Sequence, residues 1–403
     1  MQHRPGLHSI VQHVPPGGTL HLDIHNLIRW LHEAAVHGPN DKKQRSILRF
    51  QNRYDYKRFL REWSKEVPRH PKLKKIREMR IIHALSCPMP ASELPARLSN
   101  LFALEADPRI TVHASVRKPA QDRGIPWGIQ QIKAPAAWRT TTGHRVKIGV
   151  IDTGVDFNHP DLQHSLARGI NLITRSMLPH DDNGHGTHIA GTIAAANRLH
   201  GMIGVAPRAI VHPVKAFDYN GSAYVSDIIL GIDWCVRNRM DLINMSFGMK
   251  TRSQALLTAV TNAYNAGVII VASSGNDGKR QSVDYPARFP QTVAVGATTR
   301  NRRIAPFSNR GAKIDIYAPG DKIISSWLNG RYNEMSGTSM ATSHVAGAIA
   351  LLLAKHPGLS PAEIKAILKR ATQPIRGSKN ARSTKAPRAG ELDVVRMLHA
   401  ADK

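Results

Sequence analysis

Cysteine, long apolar runs and acidic residues are all scarce in this chain of 403 residues. The two cysteines, Cys87 and Cys235, are too few for a disulfide framework, so we expect free thiols without a redox role. The longest apolar run, Val345 to Ala354, is about half of the ~20 residues that cross a bilayer, which argues against a membrane span. The N-terminus, MQHRPGLHSIVQHVPPGG, has no apolar core of a secretory signal. The cytoplasm is therefore the favoured location, with export by another route as the alternative.

The shortage of acidic residues leaves a formal net charge of +27. The excess is local: fifteen Lys and Arg against four Asp and Glu from Lys42 to Arg80, and seven against none from Lys369 to Arg388. Such charge invites nucleic acid or an anionic surface. Aromatic residues make up only 5% of the chain, however, and no nucleic-acid-binding motif is present. We favour solubility or an anionic contact, and keep a basic nucleic-acid-binding protein as an alternative.

The N-terminal part of the chain predicts a small α/β domain. Residues 1–44 carry one helical pattern that ends at Gly38-Pro39, and their role stays open. From residue 45 to 118 the periodicity predicts a ferredoxin-like β-α-β-β-α-β unit, with ASELPARLSNLFAL as its second helix and PRITVHASVR as its last strand. The Pro- and Gly-broken KPAQDRGIPWG follows, so residues 119–127 are predicted to be a linker.

Beyond residue 128, short apolar strands alternate with helical segments, in VKIGVI, AIVHPVKAF, DLINMSF, GVIIVAS and TVAVGA. Continuous apolar strands between helices predict a mostly parallel sheet with helices on both faces, a three-layer α/β/α domain over residues 128–403. In such sheets functional residues gather beyond the carboxyl ends of the strands.

Four polar residues fall at junctions of this predicted sheet. Asp152 ends the strand VKIGVI, Asn276 follows GVIIVASSG, and His185 and Ser339 each stand at the start of a Gly- and Ala-rich helix. Each has an ordinary alternative, such as a turn Asp or a turn Asn. Together they supply a nucleophile in Ser339, a base in His185, an orienting acid in Asp152 and an oxyanion donor in Asn276. The spacing of His185 and His188 also allows metal binding, which we rank below catalysis because no Glu intervenes and no third ligand stands out.

The segments VIDTGVD, NGHGTHIAG, SSGN and SGTSMATSHVAG resemble, in this order, the four signature segments of the subtilisin-like serine proteases. The resemblance runs from about Gly128 to GELDVVRML. It implies the subtilisin fold, peptide-bond hydrolysis through an acyl-enzyme without a catalytic cofactor, a triad of Asp152, His185 and Ser339, and an oxyanion hole at Asn276. The chain departs from the family at Ser343, where proline is usual, within the predicted first turn of the helix, and we expect little effect on activity.

The resemblance also implies how substrate and calcium bind. The segment INMSFG resembles the strand beside which an extended peptide adds, and the implied substrate-binding residues are Ser246, Phe247, Gly248, Ser274, Gly275 and Asp277. Asp277 is an acid that could help to accept Lys or Arg. Asp161 matches a ligand of the family's structural calcium site, but Arg198 stands where a neutral amide ligand is expected. Since a guanidinium cannot ligate calcium and repels it, we expect this site to be empty or weak.

Residues 45–118 resemble the family's propeptide, which assists folding and inhibits until it is cut away. The sequence thus predicts a monomeric serine endopeptidase that is made as a self-inhibited precursor, takes proteins or peptides as substrates and its own propeptide as inhibitor, and is processed within residues 119–127. A permanent binding domain is the alternative for residues 45–118. A catalytically inactive peptide-binding module is the alternative for the whole chain.

Overall fold

The computed structural model describes residues 24–37, 45–89, 102–112, 115–119, 124–197, 199–376 and 389–402. The chain forms two units, the first of residues 1–108 with the short segment 253–255, and the second of residues 109–252 and 256–403. Within the described residues, no helix has both the length and the apolar character needed to span a membrane.

The first unit contains a four-stranded antiparallel sheet with two helices. The elements are α1 (Ile24–His37), β1 (Ser46–Phe50), α2 (Arg53–Glu66), β2 (Arg77–Met79), β3 (Ala84–Cys87) and β4 (Phe102–Ala106). The order of strands in the sheet is β2-β3-β1-β4. Helix α2 begins at a cap, because the side chain of Asn52 accepts from the main-chain N–H of Asp55, and it buries Tyr56, Phe59 and Trp63 at the spacing that the sequence predicted.

Two sequence predictions for this unit need correction. Strand β4 covers the end of ASELPARLSNLFAL, which was predicted to be helical, while residues 91–101 of that segment lie outside the described residues. Strand β4 pairs with β1 over its whole length, from Ser46 opposite Ala106 to Phe50 opposite Phe102. The last strand of the small sheet is therefore β4, and PRITVHASVR is not part of it. Pairing with β1 has overridden the local helical pattern.

The second unit contains three sheets and eight helices within its described residues. Its strands are β5 (Arg109–Val112), β6 (Ser115–Pro119), β7 (Lys147–Asp152), β8 (Ile170–Asn171), β9 (Ile210–Lys215), β10 (Ser222–Tyr224), β11 (Leu242–Met245), β12 (Phe247–Gly248), β13 (Ile269–Ser273), β14 (Val293–Thr298), β15 (Ile316–Pro319), β16 (Ile323–Trp327), β17 (Arg331–Ser336), β18 (Thr372–Gln373) and β19 (Glu391–Leu392). Its helices are α3 (Trp127–Gln131), α4 (Ala134–Ala137), α5 (His185–Ala194), α6 (Val225–Arg237), α7 (Gln254–Asn265), α8 (Thr338–Lys355), α9 (Pro361–Arg370) and α10 (Val394–Ala401).

The predicted parallel sheet is the centre of this unit. It has nine strands in the order β18-β19-β15-β14-β13-β11-β7-β9-β8, all parallel to their neighbours except β18. Every residue of β11, β13 and β14 is buried, as expected for strands covered by helices on both faces. The α/β fold class is therefore confirmed.

Helices α5 and α8 carry glycines where neighbouring segments approach them closely. A Cβ on Gly347 would lie 2.6 Å from Cβ of Val205, and one on Gly191 would lie 2.5 Å from Oγ of Ser325. Such distances leave no room for a larger residue at either position. Helices α5 and α8 also pack on each other and on the central strands. Their first residues lie at the same edge of the sheet.

Two three-stranded sheets lie beside the central one. Strand β5 runs antiparallel between β10 and β12, and β6 runs antiparallel to β17. The main-chain N–H of Val112 donates to the carbonyl of Gly221 at 3.0 Å. Strand β5 thus belongs with the second unit, although the sequence assigned residues 109–118 to the N-terminal domain. The remaining predicted domain boundaries stay predictions.

Candidate active site

The four candidate residues stand at the carboxyl ends of neighbouring strands or at the first residues of the helices that pack on them. Asp152 is the last residue of β7, and Asn276 lies three residues after β13. His185 opens α5 and Ser339 is the second residue of α8. Because β7, β11 and β13 are parallel neighbours, these positions share one edge of the sheet, as the sequence predicted.

Asp152 and His185 form a buried hydrogen-bonded pair. The distance from His185 Nδ1 to Asp152 Oδ1 is 2.7 Å, and the same oxygen accepts the main-chain N–H of Thr153 at 2.8 Å. A carboxylate can only accept, so Nδ1 carries the proton and Nε2 is left with a lone pair. Nε2 has no hydrogen-bond partner among the described residues. The ring is therefore oriented and in the tautomer that a general base requires.

The first turn of α5 is held by Asp181, which the sequence analysis missed. Its Oδ1 accepts the main-chain N–H of Gly184 at 2.9 Å and the hydroxyl of Thr153 at 2.8 Å, while Oδ2 accepts both donors of Thr187. This carboxylate satisfies N–H groups that every helix start leaves unpaired. The motif DDNGH, with an acid four residues before His185, was the available signal.

Ser339 is the second residue of α8 and is fully buried. Its hydroxyl donates to the carbonyl of Ser246 at 2.8 Å. The helix starts at Thr338, which makes Ser343 the sixth helical residue and places it in the second turn, one turn later than the sequence predicted. The Ser343 hydroxyl donates to the carbonyl of Met340 at 2.7 Å, so this hydrogen bond lies within α8.

The carboxamide of Asn276 is anchored by Thr338. Its Oδ1 accepts the main-chain N–H of Thr338 at 2.9 Å and the Thr338 hydroxyl at 2.8 Å. Because a main-chain N–H can only donate, the anchored atom must be the oxygen, and the amide N–H groups point elsewhere. Thr338 directly precedes Ser339, so the amide is oriented by the residue next to the candidate nucleophile. Sequence analysis had no signal for this role of Thr338.

The predicted substrate-binding residues lie on two segments that reach Ser339. Ser246 contacts it directly, and Phe247 and Gly248 form β12, which pairs with β5. Ser274 and Gly275 are buried, and the main-chain N–H of Gly275 donates to the Thr338 hydroxyl at 3.2 Å. Asp277 lies at the outer end and accepts a hydrogen bond from Lys250. The two segments therefore form two walls beside the candidate nucleophile, which we call the 246–248 wall and the 274–277 wall.

The other buried histidines near the site are hydrogen-bonded to main-chain carbonyls. His188 Nε2 lies 3.0 Å from the carbonyl of Ile323, and burial lowers the pKa of His188 to about 3. His344 Nδ1 lies 2.8 Å from the carbonyl of Met340, and burial lowers its pKa to about 4. Both rings are therefore neutral hydrogen-bond donors in the core. Within the described part of the chain, no cluster of three or more His, Cys, Asp or Glu could hold a metal ion.

The candidate calcium loop after α5 is closed by its own hydrogen bonds. Asp161 Oδ2 accepts the main-chain N–H of Met202 at 3.2 Å, and the carbonyl of Met202 accepts the N–H of Asn197 at 3.2 Å. The side-chain oxygen of Asn197 is used by His200. Asp161 Oδ1 is buried without a hydrogen-bond partner among the described residues, and Arg198 lies outside them. Asp161 Oδ2, the Met202 carbonyl and the Asn197 side-chain oxygen thus each accept a hydrogen bond from within the loop.

The geometry can be compared with known proteins. A family model described as "Subtilase family" matches residues 143–392, a range that contains all four candidate residues. The chain belongs to the subtilase family. It is 46% identical to subtilisin E of Bacillus subtilis (strain 168) over 248 residues, which are 60% of this chain and 65% of that protein.

Two further subtilases extend the comparison. Subtilisin of Bacillus pumilus is also 46% identical over 248 residues, which are 90% of its length. Alkaline protease of Alkalihalobacillus alcalophilus is 40% identical over 305 residues, covering 75% of this chain and 79% of that protein. The chain therefore spans a little under two thirds of subtilisin E and most of the other two subtilases.

Proposed function

We propose that this subtilase is a serine endopeptidase that hydrolyses proteins or peptides through an acyl-enzyme. The observation that carries the proposal is the buried Asp152–His185 pair, whose Nε2 has no hydrogen-bond partner among the described residues. Helix α5, which begins at His185, packs on α8, which carries Ser339 as its second residue. A carboxylate, an imidazole and a hydroxyl in this order form a nucleophile with its base and the base's orienting acid. Membership of the subtilase family supports the same assignment.

In the proposed reaction, Ser339 Oγ leaves its hydrogen bond to Ser246, turns toward His185 Nε2 and gives up its proton as it attacks the substrate carbonyl. The charge that develops on the carbonyl oxygen is stabilised by the amide of Asn276 and by the start of α8. The imidazolium then protonates the leaving amine, and water releases the acyl group by the same steps in reverse. Asp152 remains ionised and stabilises the protonated ring.

The deciding experiment compares Ser339→Ala with Ser343→Ala in casein hydrolysis and in labelling by a fluorophosphonate. Both serines are buried in α8, so the second variant is a matched control for loss of a helical hydroxyl. We expect Ser339→Ala to lose hydrolysis and labelling, and Ser343→Ala to keep both. Wild-type protein that neither hydrolyses casein nor takes the label would support the alternative of an inactive peptide-binding module.

We also propose that the chain is a self-inhibited precursor. Support comes from the second unit alone, where β5 lies between β10 and β12 as an extra antiparallel strand. Val112 stands opposite Phe247, next to Ser246, while Ser115 stands opposite Ser336, three residues before Ser339. The chain thus approaches the nucleophile along one strand and leaves it along another, as a bound peptide does. This arrangement favours processing between Val112 and Ser115 over processing within residues 119–127.

No cofactor is needed for the proposed reaction, and we propose that the calcium site near Asp161 is empty or weak. The hydrogen bonds that close the loop support this proposal. So does the sequence, which puts the cation Arg198 into the same loop.

A further inference from the structure

Lys250 places its ammonium group between two carboxylates that the proposed reaction does not use. Its Nζ donates to Asp284 Oδ1 at 2.7 Å and also to Asp277 Oδ2. The side chain of Asp284 is only 2% exposed, whereas that of Lys250 is 52% exposed. A buried carboxylate is stable when a cation accompanies it, and here that cation comes from a half-exposed and therefore displaceable side chain.

This cluster lies between the two substrate-binding walls. The main-chain N–H of Asp284 donates to the carbonyl of Ser274 at 3.0 Å, in the 274–277 wall. Lys250 follows the 246–248 wall by two residues. The inner ends of the same walls meet the helix that carries the nucleophile, through the Ser246 carbonyl and the Asn276 amide. A substrate side chain that enters between the walls from Ser339 is therefore directed toward Asp284.

Two glycines make room for the carboxylate there. A Cβ on Gly248 would lie 2.8 Å from Cβ of Asp284, and a Cβ on Gly275 would lie 2.3 Å from its Oδ2. The carboxylate of Asp284 thus touches the main chain of both walls, at positions where any side chain would exclude it. Asn309 supports the arrangement, since its Nδ2 donates to the Ser274 carbonyl at 3.1 Å and its Oδ1 accepts from the N–H of Asp277 at 3.1 Å.

We propose that Asp284 is a specificity-determining residue that selects Lys or Arg as the residue before the scissile bond, and that Lys250 is an internal occupant which this substrate cation displaces. The proposal rests on the endopeptidase function proposed above and concerns separate substrate molecules. The chain's own bond between Val112 and Ser115 follows Val112, His113 or Ala114, and its cutting relies on the pairing of β5 with β12 and of β6 with β17, which holds that bond at the site without a basic side chain. Asp277, which the sequence already suggested as an acid for basic substrates, becomes the outer of two carboxylates, with Asp284 the buried one.

The chemistry favours a cationic substrate over an apolar one. With an apolar substrate side chain between the walls, the buried carboxylate of Asp284 still needs the positive charge of Lys250. A substrate Lys or Arg supplies that charge itself and lets Lys250 return to water. The planar guanidinium of arginine has enough donors to reach both carboxylates at once. Lys250 also lowers the pKa of Asp277 through its hydrogen bond, so the outer carboxylate is ionised at neutral pH.

The test uses the full-length protein and four peptide p-nitroanilides that differ only in the last residue, which is Arg, Lys, Phe or Leu. The measured quantity is the ratio of kcat/KM for the Arg substrate to that for the Phe substrate. Asp284→Asn keeps the shape and removes the charge, and we expect this ratio to fall roughly 30-fold or more. Lys250→Gln removes the internal occupant. We expect the ratio to rise roughly 3- to 10-fold because the substrate cation no longer competes with the Lys250 ammonium group for the two carboxylates.

Asp315→Asn is the matched control. Asp315 is a second buried aspartate paired with lysines, Lys365 and Lys369, but it stands just before β15, at the opposite edge of the sheet from Ser339. This variant should leave the ratio as in wild type. Competitive inhibition by benzamidine gives a second readout, in which Lys250→Gln should bind the guanidinium-like probe more tightly even if Asp284→Asn fails to fold.

Wild type that cleaves the Phe and Leu substrates but neither basic one would overturn the specificity proposal and leave the endopeptidase intact. An unchanged ratio in Asp284→Asn would do the same, as would unchanged benzamidine inhibition in Lys250→Gln. Failure to cleave any of the four substrates, without labelling of Ser339, would instead refute the endopeptidase function itself.

Discussion

Asn276 illustrates how a single side chain acquires its role from a neighbour. An asparagine after a strand is common in turns, but two hydrogen bonds from Thr338 hold the oxygen of this carboxamide, so that its N–H groups point away from Thr338. Orientation before the reaction is what makes such a donor effective, because no reorganisation is needed as charge develops.

We predict that Asn276→Ala lowers kcat by roughly 10² to 10³, a figure carried over from subtilisin, a member of the same family. Thr338→Val should also lower kcat, because it removes one of the two anchoring bonds, whereas Thr338→Ser should keep it. Steady-state hydrolysis of one peptide substrate gives all three values. Equal kcat for the Val and Ser variants would show that the hydroxyl does not orient the amide.

The buried histidines His188 and His344 make the stability of the protein depend on pH. Burial lowers the pKa of His188 to about 3 and that of His344 to about 4, compared with about 6.5 in the unfolded chain. As pH falls below about 6.5, these two histidines therefore become protonated in the unfolded chain while they stay neutral in the folded protein. Their contribution to stability is complete above pH 6.5 and is lost as pH falls toward 4.

From this difference we predict that the free energy of unfolding of Ser339→Ala falls by about 1.4 kcal/mol per pH unit for each of these histidines at pH values well below 6.5. Adding His344→Gln to Ser339→Ala should lower the slope of the unfolding free energy against pH by the contribution of one histidine. Adding His200→Gln, at an exposed position, should leave this slope unchanged. Urea unfolding between pH 5 and 7.5 measures the slopes. A slope that His344→Gln leaves intact would mean that this ring is already protonated in the folded protein.

At the scale of elements, the loop after α5 decides the proposal that the calcium site near Asp161 is empty or weak. Hydrogen bonds among Asp161, Asn197 and Met202 close the loop from within. Asp161 Oδ2 and the Met202 carbonyl therefore have protein partners, whereas Asp161 Oδ1 has none among the described residues.

We predict that EDTA shifts the melting temperature of Ser339→Ala by no more than about 2 °C, and that calcium in millimolar excess shifts it equally little. A bound ion at 100 times its Kd would add about 2.7 kcal/mol and raise the melting temperature measurably. Differential scanning calorimetry with and without each reagent decides the matter. A large drop in EDTA that calcium reverses would show a working calcium site in spite of Arg198.

At the scale of the whole molecule, the path of the chain from the first unit into the second bears on how the proposed precursor is cut. The chain passes from the first unit into β5, which pairs with β10 and β12, and then into β6, which pairs with β17. A peptide bound in this way and cut by its own enzyme leaves two new chain ends on either side of the nucleophile.

We predict that wild-type protein separates into two pieces at a bond between Val112 and Ser115, while Ser339→Ala remains one chain. Intact-mass measurement of both proteins, with N-terminal sequencing of the larger piece, reports the cut. New ends within residues 119–127 would favour the linker that the sequence predicted. An intact and active wild-type chain would refute the precursor proposal and favour a permanent binding domain.

The sequence by itself determined the central sheet and the positions of the candidate residues. This was so because those features are local: apolar strands such as β7 and β13 end directly in Asp152 and just before Asn276, and α5 and α8 begin at or next to His185 and Ser339. Only the tertiary structure decided that β5 pairs with β10 and β12, that Thr338 orients Asn276, and that Asp284 lies between Gly248 and Gly275. These features depend on contacts between residues far apart in the chain, and neither periodicity nor local propensity contains information about such contacts.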